Sequence, residues 1–303
     1  MYDLIIIGAG PSGLAAALYA ARFKLEARIF EKFDCGGQIL LSPSIENYPG
    51  FPDGISTLGL IENFKRQVEN LGLKIENREV VGIAPEEGIF KVKTESGFFE
   101  TKTVILATGA VSKRLGVDGE DKFIGKGVSY CGTCDGPLFK NKDIAVIGGG
   151  DRALEDAIFL ASYASSVFLI HRRNQFRASG ILVEKAKENP KIRFVLDTVV
   201  EKIEGEGKVG AVKVKNVKTG LQSNIACQGV FIFVGISPNT GFVRNILKTD
   251  QSGFIIVNQV MHTTMEGVFA CGDCVKKSLY QVISACGDGA VAADSAHKYL
   301  LNL

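Results

Sequence analysis

Two cysteines separated by two residues and followed by an acid, Cys131-Gly132-Thr133-Cys134-Asp135, are the stretch of this sequence best equipped for chemistry. A Cys-x-x-Cys pair closes a disulfide within a short loop, and its thiolate is stabilised where the motif opens a helix or lies beside a charge. Asp135 is placed to pass a proton to and from a leaving thiol. A second pair, Cys271-Gly272-Asp273-Cys274, raises the alternative of a four-cysteine zinc site. The long separation of the two pairs is unlike a compact zinc ribbon, and no metal is expected. Cys271 and Cys274 read as small residues flanking a Gly-Asp turn, and Cys35, Cys227 and Cys286 as packing residues. His262 and His297 fall in no catalytic pattern.

The elements that must position this dithiol belong to a chain of 303 residues, long enough for two domains, with 46% hydrophobic and 22% charged residues. A formal net charge of +2 gives no case for nucleic acid or an anionic membrane. No apolar run is long enough to span a bilayer, and seven cysteines in a chain this long do not form a secreted disulfide scaffold. A cytoplasmic location is expected.

One unit occurs twice. Leu4 to Ile7 is a buried-strand run that leads into Gly8-Ala9-Gly10-Pro11-Ser12-Gly13 and an Ala-rich helical stretch to Arg22. Ile144 to Ile147 leads in the same way into Gly148-Gly149-Gly150-Asp151-Arg152-Ala153 and a helical stretch to Tyr163. Strand, Gly-rich turn and helix is the order of a dinucleotide site. The first Gly permits the turn, the second lets backbone approach a pyrophosphate, and the third, or Ala, lets helix and strand pack closely. The phosphates then face the helix N-terminus.

At the end of the second strand of each unit lies the position that reads the adenosine ribose. In the first unit it is Glu31, and an acid suits the two free hydroxyls of FAD or NAD. In the second, the same offset lands on His171, followed by Arg172, Arg173 and Arg177, a basic cluster that matches a ribose 2′-phosphate and favours NADPH over NADH. Val80 to Glu100 predicts a small antiparallel meander closing into a strand that ends at Thr108-Gly109. Phe194 to Phe233 repeats the plan and ends at Val234-Gly235. Gly267 to Asp273 is one more buried strand ending in Gly-Asp, whose carboxylate is suited to a ribityl or ribose hydroxyl. The fold class is α/β, with two nested Rossmann-like dinucleotide-binding domains of three-layer ββα type, the second inserted in the first. The expected boundaries are 1–112 with 243–303 for the first, discontinuous nucleotide-binding domain and 113–242 for the second, which carries the cysteine pair.

These strings, together with Gly36-Gly37-Gln38, Glu46-Asn47-Tyr48-Pro49-Gly50, Ala107-Thr108-Gly109, Phe176-Arg177 and Gln281, stand in an order that resembles the low-molecular-weight thioredoxin reductases along essentially the whole chain. The resemblance implies FAD in the split domain, held by Gly8, Gly10, Pro11, Ser12, Gly13, Glu31, Gly37, Gln38, Thr108 and Gly109. Asn47 would lie near the isoalloxazine, and Gly272, Asp273 and Gln281 along the ribityl chain and ring. It implies NADPH on Gly148, Gly150, Asp151, Arg152, His171, Arg172, Arg173 and Arg177. Cys134 would be the sulfur nearest the flavin, Cys131 the one that attacks the partner's disulfide, and Asp135 the acid and base.

The implied partner is thioredoxin or a similar small redox protein, and the implied assembly a homodimer. Rotation of the inserted domain about crossovers near residues 112 and 242 would bring nicotinamide and disulfide to the flavin in turn. Arg152, where the family carries a small hydroxyl residue, and Tyr280, where it carries Arg, make ferredoxin or another donor the alternative. A ferredoxin–NADP oxidoreductase of similar architecture would lack the cysteine pair. A nucleotide-binding regulator would leave the pair without a use. In the glutathione-reductase branch the dithiol follows the first fingerprint closely, whereas Cys35 has no partner within the next several residues.

Overall fold

Runs such as Leu4-Ile5-Ile6-Ile7 and Ile144-Ala145-Val146-Ile147 carry no alternation, the mark of strands covered on both faces, and each lies at the centre of a parallel sheet. The computed structural model describes residues 1–41, 44–45 and 47–303, and the side chains of all of these except Leu41, Ser44, Thr133 and Cys134. Glu46, in the Glu46 to Gly50 string, therefore lies outside the described residues. The chain divides into two units, Met1–Val111 with Ser237–Leu303, and Ser112–Ile236.

In the first unit the parallel strands run in the order Ile75–Asn77, Ala27–Glu31, Tyr2–Ile7, Gly97–Leu106 and Val268–Ala270. Gly97–Leu106 is long because it carries two sets of pairings within one seven-stranded sheet. Its first half pairs antiparallel with Ile89–Thr94, which pairs with Val80–Glu86, and its second half runs parallel to Tyr2–Ile7. The burial pattern changes along the strand, from alternating at Gly97–Glu100 to almost continuous from Thr101 onward. The helix Pro11–Arg22 starts at its proline, which lacks the N–H that a first-turn position would leave unpaired. Helix Val282–Leu300 packs on it so closely that a Cβ at Gly289 would lie 2.1 Å from the Ser12 carbonyl oxygen, so only glycine fits.

The second unit repeats the order. Ile192–Val195, Ser166–Ile170, Asp143–Gly148, Gly229–Phe233 and Val128–Ser129 are all parallel. A three-stranded antiparallel sheet follows, Thr198–Glu204, Ala211–Asn216 and Gln222–Ala226. Helices Asp151–Ala161 and Gly180–Glu188 belong to the same unit.

The crossovers fall at 111/112 and 236/237, against the expected 112/113 and 242/243. The second comes early because Ile236–Pro238 already pairs with Ala110–Ser112. Just beyond it the Asn239 N–H donates to the Gly109 carbonyl and its side-chain amide to that of Thr108 (both 3.0 Å). Among the described residues no helix is long and apolar enough to cross a membrane.

Candidate active site

The first fingerprint shows which glycines the protein needs for its own packing and which it does not. Gly8 has φ +106°, and a Cβ there would lie 2.3 Å from the Ala107 carbonyl oxygen; at Gly13 it would lie 1.9 Å from that of Gly8. At Gly10 the nearest such contact is the Gly36 oxygen at an ordinary 3.8 Å. Gly10 caps helix Pro11–Arg22 without a side-chain hydrogen bond, so the first-turn N–H groups are left to whatever occupies the space before it.

Around this opening the structure gathers several of the expected residues. The Glu31 carboxylate accepts the Ala9 N–H at 2.6 Å and the Phe33 N–H at 3.0 Å, which fixes it at the end of its strand. The Gly36 N–H donates to the Ala9 carbonyl, and Gly37 packs over Gly10. The Gln38 amide donates to the Ala110 carbonyl. The Asn47 amide donates to the side-chain oxygen of Gln281 at 3.0 Å, and Gln281 caps helix Val282–Leu300 in a reciprocal box with Ser284. Gly272 (φ +74°) lies so near Ser12 that a Cβ would meet its hydroxyl oxygen at 2.3 Å.

The Asp288 carboxylate accepts the Gly272 N–H (3.2 Å) and pairs with Lys277 (2.9 Å), which also reaches Asp273 (3.4 Å). Sequence reasoning passed over Lys277 and Asp288. The available signal was an acid between two glycines, Gly287-Asp288-Gly289, inside a helix of small residues.

The second fingerprint is built alike with one exchange. A Cβ at Gly148 would meet the Phe233 carbonyl oxygen at 2.5 Å and the Cβ of Ala153, which stands where the first unit has Gly13, at 2.6 Å. At Gly150 a Cβ would find nothing within 4 Å, and this residue also caps its helix without a side-chain bond. Asp151 accepts the Ser179 N–H at 2.8 Å.

His171 departs from the expected basic cluster. It is only 7% exposed, stacks on Phe176 and contacts the Gln175 carbonyl at 3.1 Å, and a Cβ at Gly149 would strike its ring at 2.2 Å. Burial, with Arg172, Arg173 and Arg177 adding to it, lowers its pKa, so the ring underlies the turn as a neutral group. Those three arginines are exposed and make no ion pair among the described residues. Arg152 turns elsewhere: its guanidinium lies over Phe233, donates to the Tyr130 carbonyl (3.2 Å) and reaches Asp156 (3.7 Å).

Strand Val128–Ser129 delivers Cys131, which is disulfide-bonded, partly exposed, and the N-cap of the short helix Gly132–Asp135. The side chain of Cys134 lies outside the described residues. The Cys131 N–H donates to the Ser129 hydroxyl, which donates back to the Cys131 carbonyl (both 3.1 Å). Tyr130 donates to Glu120 and accepts from Arg114, each at 2.6 Å. Asp135 is half-buried at the end of the short helix.

Beneath the turn lies Asp156, its side chain 12% exposed, its pKa raised to about 6 by desolvation against the opposing pull of Arg152. Cys35, Cys227, Cys271, Cys274 and Cys286 are free. Burial raises the thiol pKa of Cys227 to about 12 and that of Cys286 to about 11, and raises those of Cys271 and Cys274 as well.

Comparison with known proteins agrees with this geometry. The Pyridine nucleotide-disulphide oxidoreductase family model matches residues 2–289. The chain is 44% identical over 299 residues to the thioredoxin reductase of Treponema pallidum (strain Nichols), covering 99% of this chain and 97% of that protein. Among solved structures, thioredoxin reductase from Streptococcus pyogenes matches with a TM-score of 0.83 at 44% identity, over 100% of this chain and 99% of that one. The Lactococcus lactis thioredoxin reductase matches with a TM-score of 0.81 at 40% identity, covering all of both chains.

Proposed function

The chain belongs to the pyridine nucleotide-disulphide oxidoreductase family, and from that premise we propose that it is an NADPH-dependent thioredoxin reductase. Electrons pass from NADPH through FAD and the Cys131–Cys134 pair to the disulfide of thioredoxin or a similar small redox protein. The observation that carries this reading is a disulfide-bonded, partly exposed Cys131 beside a fingerprint helix whose middle glycine, Gly150, no protein packing requires.

The first cradle fits FAD. The space before Gly10 suits a pyrophosphate at the uncapped helix end, and Glu31 is held where two ribose hydroxyls need an acceptor. Gly272, Asp273, Asn47 and Gln281 are the residues for the ribityl chain and ring. The second cradle fits NADPH, with Gly150 at the pyrophosphate and the exposed Arg172, Arg173 and Arg177, which make no ion pair among the described residues, at the 2′-phosphate. When bound, the flavin supplies two-electron chemistry between the nicotinamide and a disulfide.

The protein's own part is then thiol exchange. A thiolate of the reduced pair attacks the partner's disulfide, so that one mixed disulfide forms as the partner's bond breaks. The second cysteine displaces the remaining partner sulfur, which restores the Cys131–Cys134 bond and leaves the partner with two thiols. Asp135, next to Cys134, holds the Cys134 proton and returns it to the second partner sulfur as that bond re-forms.

The test is an anaerobic titration of the flavin-loaded protein with NADPH, NADH or reduced ferredoxin, in wild type and Cys134→Ser. NADPH is expected to bleach the flavin, and wild type to take up one electron pair more than the variant. Reduction by ferredoxin alone would overturn the assignment of the arginine cluster and make ferredoxin the donor.

A further inference from the structure

Three observations meet beneath the Cys131 turn. A Cβ on Gly132 would lie 2.4 Å from Oδ1 and 3.1 Å from Cβ of Asp156, so this position inside the cysteine motif is glycine because a carboxylate occupies the room. Asp156 stands on the fingerprint helix Asp151–Ala161 with its side chain only 12% exposed. Arg152, one turn earlier, spans from the Asp156 carboxylate to the carbonyl of Tyr130, immediately before Cys131. The carboxylate and the dithiol turn are thus locked together by close packing and by a shared guanidinium.

Reduction of the disulfide leaves a thiolate on the turn whose Gly132 rests against the Asp156 carboxylate. Two negative charges at short range in a poorly hydrated setting cannot both persist at low cost, and such pairs titrate together. We propose that Asp156 and the reduced Cys131 turn are a coupled acid pair, in which Asp156 takes up the proton given off when a thiol ionises, so that the turn carries one negative charge rather than two.

The inference rests on the redox reading of Cys131 and Cys134. In the exchange step the Cys131 thiol proton moves to the Asp156 carboxylate, the thiolate attacks the partner's sulfur, and the proton passes on to the first partner sulfur released. When the Cys131–Cys134 bond re-forms, the Cys134 proton passes to the second partner sulfur, so that two thiol protons leave this chain and two arrive on the partner.

The charged groups acting on Asp156 are Arg152, which favours its ionised form, and Glu155, which opposes it. Among the described side chains, the titratable groups of the turn packed on it are Cys131 and Asp135. Among the described residues no other charge moves it. A neutral amide at this position could preserve the packing but could not take part in the coupling.

The experiment uses the full-length flavin-loaded protein, reduced anaerobically with dithiothreitol. The rate at which iodoacetamide alkylates Cys131, mapped by mass spectrometry, is followed from acid to alkaline pH. In wild type the profile is expected to show an inflection near pH 6 below the main thiol midpoint. In Asp156→Asn that inflection is lost and the midpoint moves down by about one pH unit; in Asp156→Glu the inflection persists. A wild-type profile with a single midpoint overturns the proposal, and needs no variant to fold. An Asn variant with an unmoved midpoint overturns it as well, because a purely structural Asp156 would alter stability and leave the midpoint in place. If reduction releases no thiol at Cys131, the redox reading fails too; if the thiol emerges without the coupling, only the role of Asp156 fails.

Discussion

The two Cys-x-x-Cys turns occupy one position in two copies of the same unit. Ile7 pairs with Leu106 and Val104 with Val268 in the first; Ile147 pairs with Ile232 and Val230 with Val128 in the second. Counted from these registers, Cys271 corresponds to Cys131 and Cys274 to Cys134. Their states differ completely. Cys271 and Cys274 are free and fully buried, with thiols raised in pKa by desolvation, whereas Cys131 is partly exposed and disulfide-bonded. In the first unit Gly272 lies on Ser12, and helix Val282–Leu300 seats Gly289 against Ser12 and Ala16. In the second, the counterpart of Ala16 is Asp156, and the cysteine turn itself lies on it. Spacing therefore supplies a loop that two sulfurs can share, and reactivity comes from what covers the loop and what lies beneath it.

The largest effect this contrast predicts is in catalysis. Cys131→Ser should lower disulfide-reductase turnover by a factor of roughly a thousand or more, as loss of a reacting group does, with flavin content unchanged. The double replacement Cys271→Ala with Cys274→Ala should keep turnover within about twofold and cost on the order of 1 kcal/mol per site in stability. Steady-state kinetics beside thermal melts separates the two. Equal losses of turnover in both would mean that burial does not silence the inner pair.

A second contrast concerns helix–strand packing. Gly13→Ala puts a methyl 1.9 Å from a carbonyl oxygen that has no flexible side chain to yield. It should cost about 3 kcal/mol or more and strip the flavin. Ala153→Gly, at the matching place in the second unit, should cost only about 1 kcal/mol. Melting temperature and bound-flavin absorbance read both, and an equal cost at the two positions would contradict the difference in spacing.

Much of this was legible in the sequence because the responsible forces are local. Unbroken apolar runs mark strands buried on both faces, and Gly8 and Gly148 stand where the backbone leaves the strand with no room for a side chain. The acid at Glu31 and the exposed arginines after Ile170 follow from their distance to the fingerprint. Other features depend on contacts that sequence order conceals. Asp156 stands on a helix with charged residues beside it, and its side chain is largely covered only because a turn from earlier in the chain packs on it. His171 has the right offset for a ligand contact yet fills space behind Gly149. The equivalence of the two cysteine pairs was hidden because the fifth strand precedes the fingerprint in the second unit and closes the sheet long after it in the first.

The last predicted effect isolates the carboxylate that the first unit replaces with Ala16. Asp156 has a folded-state pKa near 6 against an ordinary 3.8, because burial penalises its charge. A carboxyl raised in this way binds more protons folded than unfolded between those two values, so its contribution to stability is most favourable below about pH 4 and is lost as pH rises toward 6. The pKa difference of 6 − 3.8 = 2.2 corresponds to about 3 kcal/mol at most, less whatever solvent reaching the group takes away. Asp156→Asn cannot titrate, so the stability difference between wild type and variant should swing toward the variant by up to that amount between pH 4 and pH 7. Any fixed loss from the weaker Arg152 contact offsets the curve without bending it. Paired denaturant melts across this range measure the swing directly. A flat difference would show that Asp156 is ionised throughout and that the second unit, like the first, keeps no titrating group beneath its cysteine turn.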